Sequence, residues 1–277
     1  MIFILMKIII FGSTGMLGTY VTKYLSGFYD TIPLTRSDID LMNLTMCDLR
    51  EVLLKNTCDS TGIIINCAGV IPQSEKQHKL NNKHYYKINT VFPIILGTLC
   101  SEIGCKFLHI TTDCVFSGNE GNYNEDSDHN ESNDYGTSKS LGELCGGTII
   151  RTSIIGEELL NKQSLLEWMR SNKNNIVNGF VNHFWNGVTC LQLAKIIKSI
   201  INENMYWEGI RHIFSPTFVS KYELVVMIND IYDLNITINK FEAERNINKC
   251  LISKYEILFD IPNIYNQLEE QKEFSLI

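Results

Sequence analysis

Lys7-Ile8-Ile9-Ile10-Phe11-Gly12-Ser13-Thr14-Gly15-Met16-Leu17-Gly18 is the stretch that decides the fold. Lys7 to Phe11 is short, apolar and β-branched, the pattern of a buried strand. It runs without a break into a G-x-x-G-x-x-G turn. A helical pattern follows, with Leu17, Val21, Tyr24 and Leu25 on one face. Glycines at such a turn let the backbone bend tightly and approach a pyrophosphate, while the helix N-terminus offers N–H donors and positive dipole. A plain tight turn is the alternative; the strand, turn and helix context favours a nucleotide site.

Downstream, Asp134-Tyr135-Gly136-Thr137-Ser138-Lys139 follows Thr111-Thr112-Asp113. A Tyr and a Lys spaced i, i+4 share one helix face. There the ammonium is expected to lower the phenol's pKa, ordinarily about 10, and make it a usable acid. The Thr112 hydroxyl, at the end of a neighbouring strand, can hydrogen-bond the same carbonyl. This is equipment for moving a hydride and a proton onto a C=O group.

Working outward, strand and helix signals alternate through the first half, which predicts a parallel α/β sheet. Residues 31–35 read as a second strand and 44–55 as a helix. Residues 62–69 form a buried strand ending in small residues, 85–102 a long helix carrying Asn89, and 106–112 a strand ending at the threonine pair. Residues 118–134 read as a loop over the site, and 148–153 as a sixth strand. Ligands bind outside the C-terminal ends of such strands, so Gly12, Asn66 to Gly69 and Thr112 should converge. Beyond this the alternation fades. Residues 159–170, 191–201 and 221–232 are helical, with strand-like pieces at 175–180 and 211–215. The expected organisation is a Rossmann-like doubly wound parallel sheet over residues 1–150, with 187–208 packing back on it. A smaller C-terminal substrate-binding lobe comprises 151–186 and 209–277.

Composition narrows the function classes. The 277 residues are 44% hydrophobic and 20% charged, ordinary for a globular protein. A net charge of -7 leaves no basic footprint for nucleic acid. Nine cysteines stand singly with no C-x-x-C pair, which points to reduced thiols in a cytoplasmic setting and to no metal site. The apolar start, Met1 to Lys7, is too short to span a membrane and lacks the features of a signal peptide. It is expected to extend the first strand.

Cofactor choice can be argued from position. An NAD site places an acid near the end of the second strand, about 20 residues beyond the glycines. Arg36 stands there with Ser37 beside it. A guanidinium suits a 2′-phosphate, so NADP(H) is favoured over NAD(H); stacking on adenine or exposure to solvent are the other readings of Arg36. Asp40 and Leu41 would flank the adenine.

With these motifs in place, the chain resembles the extended short-chain dehydrogenase/reductase family. Within it, the likeness is to the dTDP-4-dehydrorhamnose reductases and related sugar-nucleotide reductases. Four motifs carry it: Gly12 to Gly18, Asn66-Cys-Ala-Gly69, Thr111-Thr-Asp-Cys-Val-Phe-Ser-Gly118 and Asp134-Tyr-Gly-Thr-Ser-Lys-Ser-Leu-Gly-Glu143. Ile150-Arg-Thr-Ser-Ile-Ile-Gly156 is similar to a stretch in polysaccharide-cluster reductases acting on UDP-linked 2-acetamido sugars. The resemblance implies that Tyr135 donates a proton to a keto oxygen and that Thr112 orients the carbonyl. Lys139 would tune the phenol and bond the nicotinamide ribose. Gly12, Ser13, Thr14, Gly15, Met16, Leu17 and Gly18 would line the pyrophosphate, with Cys67, Ala68 and Gly69 beneath the ribose and Asn89 nearby. The implied activity is NADPH-dependent reduction of the C4 ketone of a nucleotide-linked 4-keto-6-deoxy sugar. A UDP-2-acetamido-2,6-dideoxy-hexos-4-ulose is the preferred substrate and a dTDP- or UDP-4-keto-rhamnose precursor the next. A homodimer through the helices starting near Tyr85 and Asp134 is a further implication.

Departures from the family pattern separate reactions. In the 4,6-dehydratases Asp-Glu follows the Thr; here Asp113-Cys114 follows Thr112, which disfavours dehydration. Cys114 lies two residues after Thr112, where the epimerase-reductases that make GDP-fucose carry a catalytic Cys. C3 epimerisation with Cys114 as base and His183 as acid is therefore one reading, and a packing thiol with a hydrogen-bonded lobe histidine the other. Trp185 and Phe184 read as lobe packing and His109 as structural. A non-catalytic subunit, like the regulatory subunit of methionine adenosyltransferase, resembles the same motifs. A 4-epimerase holding NAD tightly is a third possibility.

Overall fold

Strand β1 (Lys7–Phe11) turns Ile8 and Ile10 to one face of a sheet and Ile9 and Phe11 to the other, the two-residue alternation of extended backbone. Both faces are buried, as a parallel sheet flanked by helices requires. The computed structural model describes residues 6–57, 61–73 and 80–276; the expected extension of β1 through residues 1–5 lies outside them. The chain continues through α1 (Met16–Leu25), β2 (Asp30–Leu34), α2 (Met46–Thr57) and β3 (Ile63–Asn66). The long helix α3 runs through Asn82–Tyr85, a wider π-helical turn at Tyr86–Val91, and Phe92–Ile103. Then come β4 (Lys106–Thr112), α4 (Asp134–Gly142) and β5 (Thr148–Thr152).

The second half comprises β6 (Ile154–Ile155), α5 (Leu165–Ser171), β7 (Ile176–Phe180), β8 (His183–Trp185), β9 (Val188–Thr189), α6 (Cys190–Asn202) and β10 (Gly209–His212). It closes with β11 (Val219–Ser220), α7 (Lys221–Ile231), β12 (Thr237–Phe241), β13 (Ile247–Asn248) and α8 (Ile264–Phe274). The main sheet has six parallel strands in the order β10-β5-β4-β3-β1-β2. Strand order reverses between β1 and β3, and the crevice above such a switch point is where ligands bind.

One face of the sheet packs Ile8, Ile10, Ile63, Ile65, Leu108 and Ile150 against α1 and α6. The other packs Ile9, Phe11, Ile64, Phe107 and Ile149 against α2 and α3. Each such side chain contributes about 1.5–3 kcal/mol relative to exposure. A separate lobe core joins Leu166, Met169, Val177, Trp185, Leu224, Ile228 and Leu268. Helix α6 packs on α1, as the return of residues 187–208 to the sheet requires.

Three expectations are corrected. Strand 148–153 is the fifth of the sheet in chain order; the sixth is β10, which pairs with β5 and so lies outside the lobe to which 209–277 was assigned. The reason is that β5 leaves its far edge open, and a parallel strand satisfies those backbone groups. The helix expected over 159–170 begins only at Leu165. Glu158 accepts the N–H groups of Gln163 (2.6 Å) and Ser164 (3.0 Å), fixing a turn, and the Ser164 hydroxyl caps the helix at Glu167 N. Among the described residues, no helix is long and apolar enough to cross a membrane, and no three His, Cys, Asp or Glu side chains gather to hold a metal ion.

Candidate active site

The glycine turn is built for close backbone approach. Gly12 has φ +72°, and a Cβ there would lie 2.6 Å from Ala68 N and Cα. A Cβ on Gly18 would lie 2.0 Å from Gly12 O, so the turn and the first helical turn interlock. Gly15 caps α1 with no side-chain hydrogen bond, leaving the first-turn N–H groups without a side-chain acceptor. The flanking side chains are otherwise occupied. Ser13 Oγ–H donates to Leu34 O at 2.8 Å, tying the turn to β2; Leu17 is buried, Met16 packs on the core and Thr14 is exposed. Those residues therefore offer a ligand their backbone, or in the case of Thr14 an exposed hydroxyl.

At the end of β2, Arg36 is exposed and Ser37 Oγ lies 2.7 Å from Thr35 Oγ1. The nearest carboxylate, Asp38, accepts Thr35 N–H (2.8 Å) and Oγ1–H (2.6 Å), which hold its pKa below the usual carboxylate range. Asp40 is likewise used, by Met42 N–H at 3.0 Å and Asn43 Nδ2 at 2.6 Å, while Leu41 packs against the helix α2 side of the core.

The expected convergence at the strand ends is present. Cys67 N–H donates to Phe11 O at 3.0 Å, and Asn66 Oδ1 accepts Ala68 N–H at 3.0 Å. Burial pushes the Cys67 thiol up to about 12, which suits packing. A Cβ on Gly69 would stand 3.6 Å from Lys139 Nζ and 3.5 Å from Asn89 Oδ1, so the strip after β3 passes beside helix α4. The Asn89 amide is engaged internally: Oδ1 accepts Val70 N–H (2.8 Å), and Nδ2 donates to Val70 O (3.0 Å) and Ser138 Oγ (3.1 Å). From its π-helical turn it ties α4 to the strip that follows β3.

Helix α4 starts at Asp134 because Asn133 accepts Gly136 N–H at 2.8 Å. Tyr135 and Lys139 follow on one face. Lys139 Nζ donates to Ile110 O at 3.2 Å, and burial lowers its pKa to about 8 against the opposing pull of Glu143. Burial, followed by the neighbouring Cys114, raises the phenol of Tyr135; the Thr112 hydroxyl is its hydrogen-bonding neighbour. The expected lowering by Lys139 is thus reversed: desolvation dominates, and the phenol stays protonated, the form an acid needs.

Thr112 is the pivot of a short 3₁₀ turn. Its Oγ1 accepts Cys114 N–H at 3.1 Å and donates to Asp113 Oδ1 at 3.1 Å. Asp113 is buried, and burial raises its pKa while Lys249 and Lys221 oppose the rise. Burial and Asp113 push the Cys114 thiol up to about 12. His183 is held inside the lobe, its Nε2 3.2 Å from Arg245 O and its ring stacked on Phe180 at 4.6 Å. Besides burial, the ionisable groups that act on Cys114 are Asp113 and Lys249, with Lys221 sensing it from the lobe. Trp185 belongs to the lobe core, Phe184 meets Phe218 at 5.7 Å, and His109 is fully buried 3.1 Å from Asn66 Nδ2.

Lys221 and Lys249 were not singled out by the sequence, and Asp113 only as the residue that follows Thr112. Ser220-Lys-Tyr-Glu223 does announce a capped helix start, but not that the helix points back at the turn after β4.

The RmlD substrate binding domain family model matches residues 6–243. The spore coat polysaccharide biosynthesis protein SpsK of Bacillus subtilis (strain 168) is 25% identical over 261 residues, 91% of this chain and 88% of that one. A dTDP-4-dehydrorhamnose reductase of Aggregatibacter actinomycetemcomitans is 28% identical over 243 residues, 81% and 78% of the two chains. The solved dTDP-4-dehydrorhamnose reductase of Bacillus anthracis str. Ames, in complex with NADP, superposes with a TM-score of 0.82 at 22% identity, covering 98% of this chain and 99% of that one. With its matched region running from the start of β1 to the residues just past β12, this chain belongs to the RmlD substrate binding domain family.

Proposed function

We propose that the chain is an NADPH-dependent reductase of the C4 ketone of a nucleotide-linked 4-keto-6-deoxy sugar. The observation that carries the reading is the juxtaposition of Thr112, Tyr135 and Lys139 with Gly69 and the glycine cradle at one end of the sheet. The cradle fits a dinucleotide: Gly12 and Gly18 leave no room for a Cβ, and α1 presents uncapped N–H groups. When bound, the nicotinamide supplies the hydride. Tyr135 then delivers its proton to the keto oxygen, the Thr112 hydroxyl orients that oxygen, and the Lys139 ammonium offsets the phenolate left behind.

Two features support NADP(H) over NAD(H). The Arg36 guanidinium is exposed at the end of β2, and the Asp38 carboxylate that could take a ribose hydroxyl is bound to Thr35. A UDP-2-acetamido-2,6-dideoxy sugar remains the preferred substrate, supported by the Ile150 to Gly156 stretch and by likeness to a polysaccharide biosynthesis protein. Exposed Val91 on α3, Leu141 in the last turn of α4 and Leu144 just after it support a homodimer there.

Cys114 favours a second reading, C3 epimerisation before reduction, because it neighbours Tyr135. Its raised pKa opposes a role as base. One assay addresses both. The protein is incubated in D2O with NADPH or NADH and the 4-keto-6-deoxy sugars of UDP-GlcNAc, UDP-glucose and dTDP-glucose, and products are read by NMR. Reduction of one sugar supports the reductase, and deuterium at C3 that a Cys114→Ser variant abolishes adds the epimerase. Absence of NADPH oxidation with every sugar would overturn both.

A further inference from the structure

Lys221 opens α7 under a capping box: Glu223 N–H donates to Ser220 Oγ at 3.1 Å, and Ser220 N–H to Glu223 Oε2 at 2.7 Å. Its backbone is therefore fixed in the lobe. Its side chain lies over Trp185, with Nζ 5.2 Å from the ring centroid. Trp185 in turn donates to Ser153 Oγ at 2.7 Å, just beyond the end of β5. The lysine thus lies on the lobe side of the strand ends, where Asp113, Cys114 and Cys250 are the groups whose charge it senses. Among the described residues the ammonium donates no hydrogen bond and forms no ion pair within 4 Å.

Lys221 is half-buried, and its three ammonium donors, unused by the protein, are open to a ligand oxygen. The other cation at this turn, Lys249, already has Glu131 at 3.6 Å. Asp113 is taken up by the Thr112 hydroxyl at 3.1 Å and lies too far from Lys221 to pair with it directly. What is left is an ammonium donor without a protein acceptor, within electrostatic reach of Asp113 and Cys114, the two residues that follow Thr112. That is the complement of a pyranose bearing a ketone and neighbouring hydroxyl or amide oxygens.

We propose that Lys221 is a substrate-positioning residue whose ammonium binds an oxygen substituent of the sugar beside the ketone. The proposal rests on the reductase reading for the identity of the sugar. The test compares wild type, Lys221→Met and Lys221→Arg by calorimetric titration with UDP-GlcNAc, dTDP-glucose, bare UDP, bare dTDP and NADPH, alongside turnover of the keto sugars. Lys221→Met is expected to weaken binding of the preferred sugar nucleotide by about 10- to 100-fold and to raise its KM, with binding of the bare nucleotide and NADPH unchanged. Lys221→Arg should recover part of the loss. Unaltered sugar-nucleotide binding in Lys221→Met overturns the proposal. So does an equal loss of bare nucleotide and NADPH, which marks a structural role, or a wild type that binds sugar nucleotides no tighter than bare ones. If the wild type reduces no keto sugar, the reductase reading fails, while the titrations still decide the role of Lys221.

Discussion

The two ends of the site are built in opposite ways. The nucleotide cradle is local: Gly12, Gly15 and Gly18 lie within one turn, and their partners Leu34 and Ala68 come from the neighbouring strand ends. The sugar end is assembled from afar: Thr112 and Asp113 follow β4, Tyr135 and Lys139 ride on α4, and Lys221 and Lys249 arrive from the lobe. A cradle made of backbone tolerates no added atoms. A cluster made of side chains can be edited one charge at a time. Substitutions in the first should act on folding and cofactor together, and substitutions in the second on chemistry or sugar selection alone.

The sharpest way to break this contrast is Tyr135→Phe. It removes the proton donor and leaves the ring packed at 6.2 Å from Tyr85. Turnover should fall by about 10²- to 10⁴-fold, with NADPH affinity within a factor of about two by fluorescence titration. Comparable losses of NADPH binding would mean that the two ends are not separable. Gly12→Ala should do the reverse. Its Cβ would overlap the Ala68 backbone at a φ of +72°, so about 3 kcal/mol or more of stability should be lost together with NADPH binding. A thermal melt and a titration check both.

A third experiment probes the scaffold behind the sugar end, where β5 meets the end of α4 and β10. Arg151, fully buried, binds Glu143 through Nε (3.0 Å) and Nη2 (2.6 Å) and donates to His212 Nε2 (2.8 Å) and His129 Nε2 (2.6 Å). Both histidines must be neutral to accept. Burial, with Arg151, lowers His212 to about 4, and burial also lowers His129 despite Glu143 and Asp128. A histidine whose folded pKa lies below its unfolded value stabilises the fold above about pH 6.5, and that contribution is lost as the pH falls toward 4. For His212 the loss is on the order of 3 kcal/mol across that window. Melting temperatures should fall steeply from pH 6.5 downward, and a His212→Gln variant should show a flatter fall. Equal slopes would remove His212 from the account.

The smallest expected effect concerns cofactor choice. Arg36→Ala should weaken NADPH by about 10-fold and leave NADH unchanged, because the lost contact is a charge-assisted bond to the 2′-phosphate. An equal change for both cofactors would favour adenine stacking.

How much of this was legible followed the same divide. The cradle could be read because strand, turn and helix are contiguous, and the Tyr135–Lys139 pair because one helix face holds it. The strand-like piece read at 211–215 overlaps β10, but its place in the main sheet escaped, since its pairing with β5 is a tertiary fact. The link that the Asn89 amide makes between Val70 and Ser138 was not legible either, since its partners lie 19 and 49 residues away. The role of Lys221 depends on where α7 points, which its capping box does not encode. The direction of the Tyr135 shift depends on burial, which outweighs the neighbouring charge.

The central claim is that the cluster around Tyr135 reduces the C4 ketone of a nucleotide sugar. The most direct test supplies NADPH carrying deuterium at nicotinamide C4 together with the 4-keto-6-deoxy sugar nucleotides, and examines the products by NMR. The account predicts one deuterium at C4 of the sugar with wild type and almost none with Tyr135→Phe. Deuterium-free product, or equal labelling by the two proteins, would contradict it.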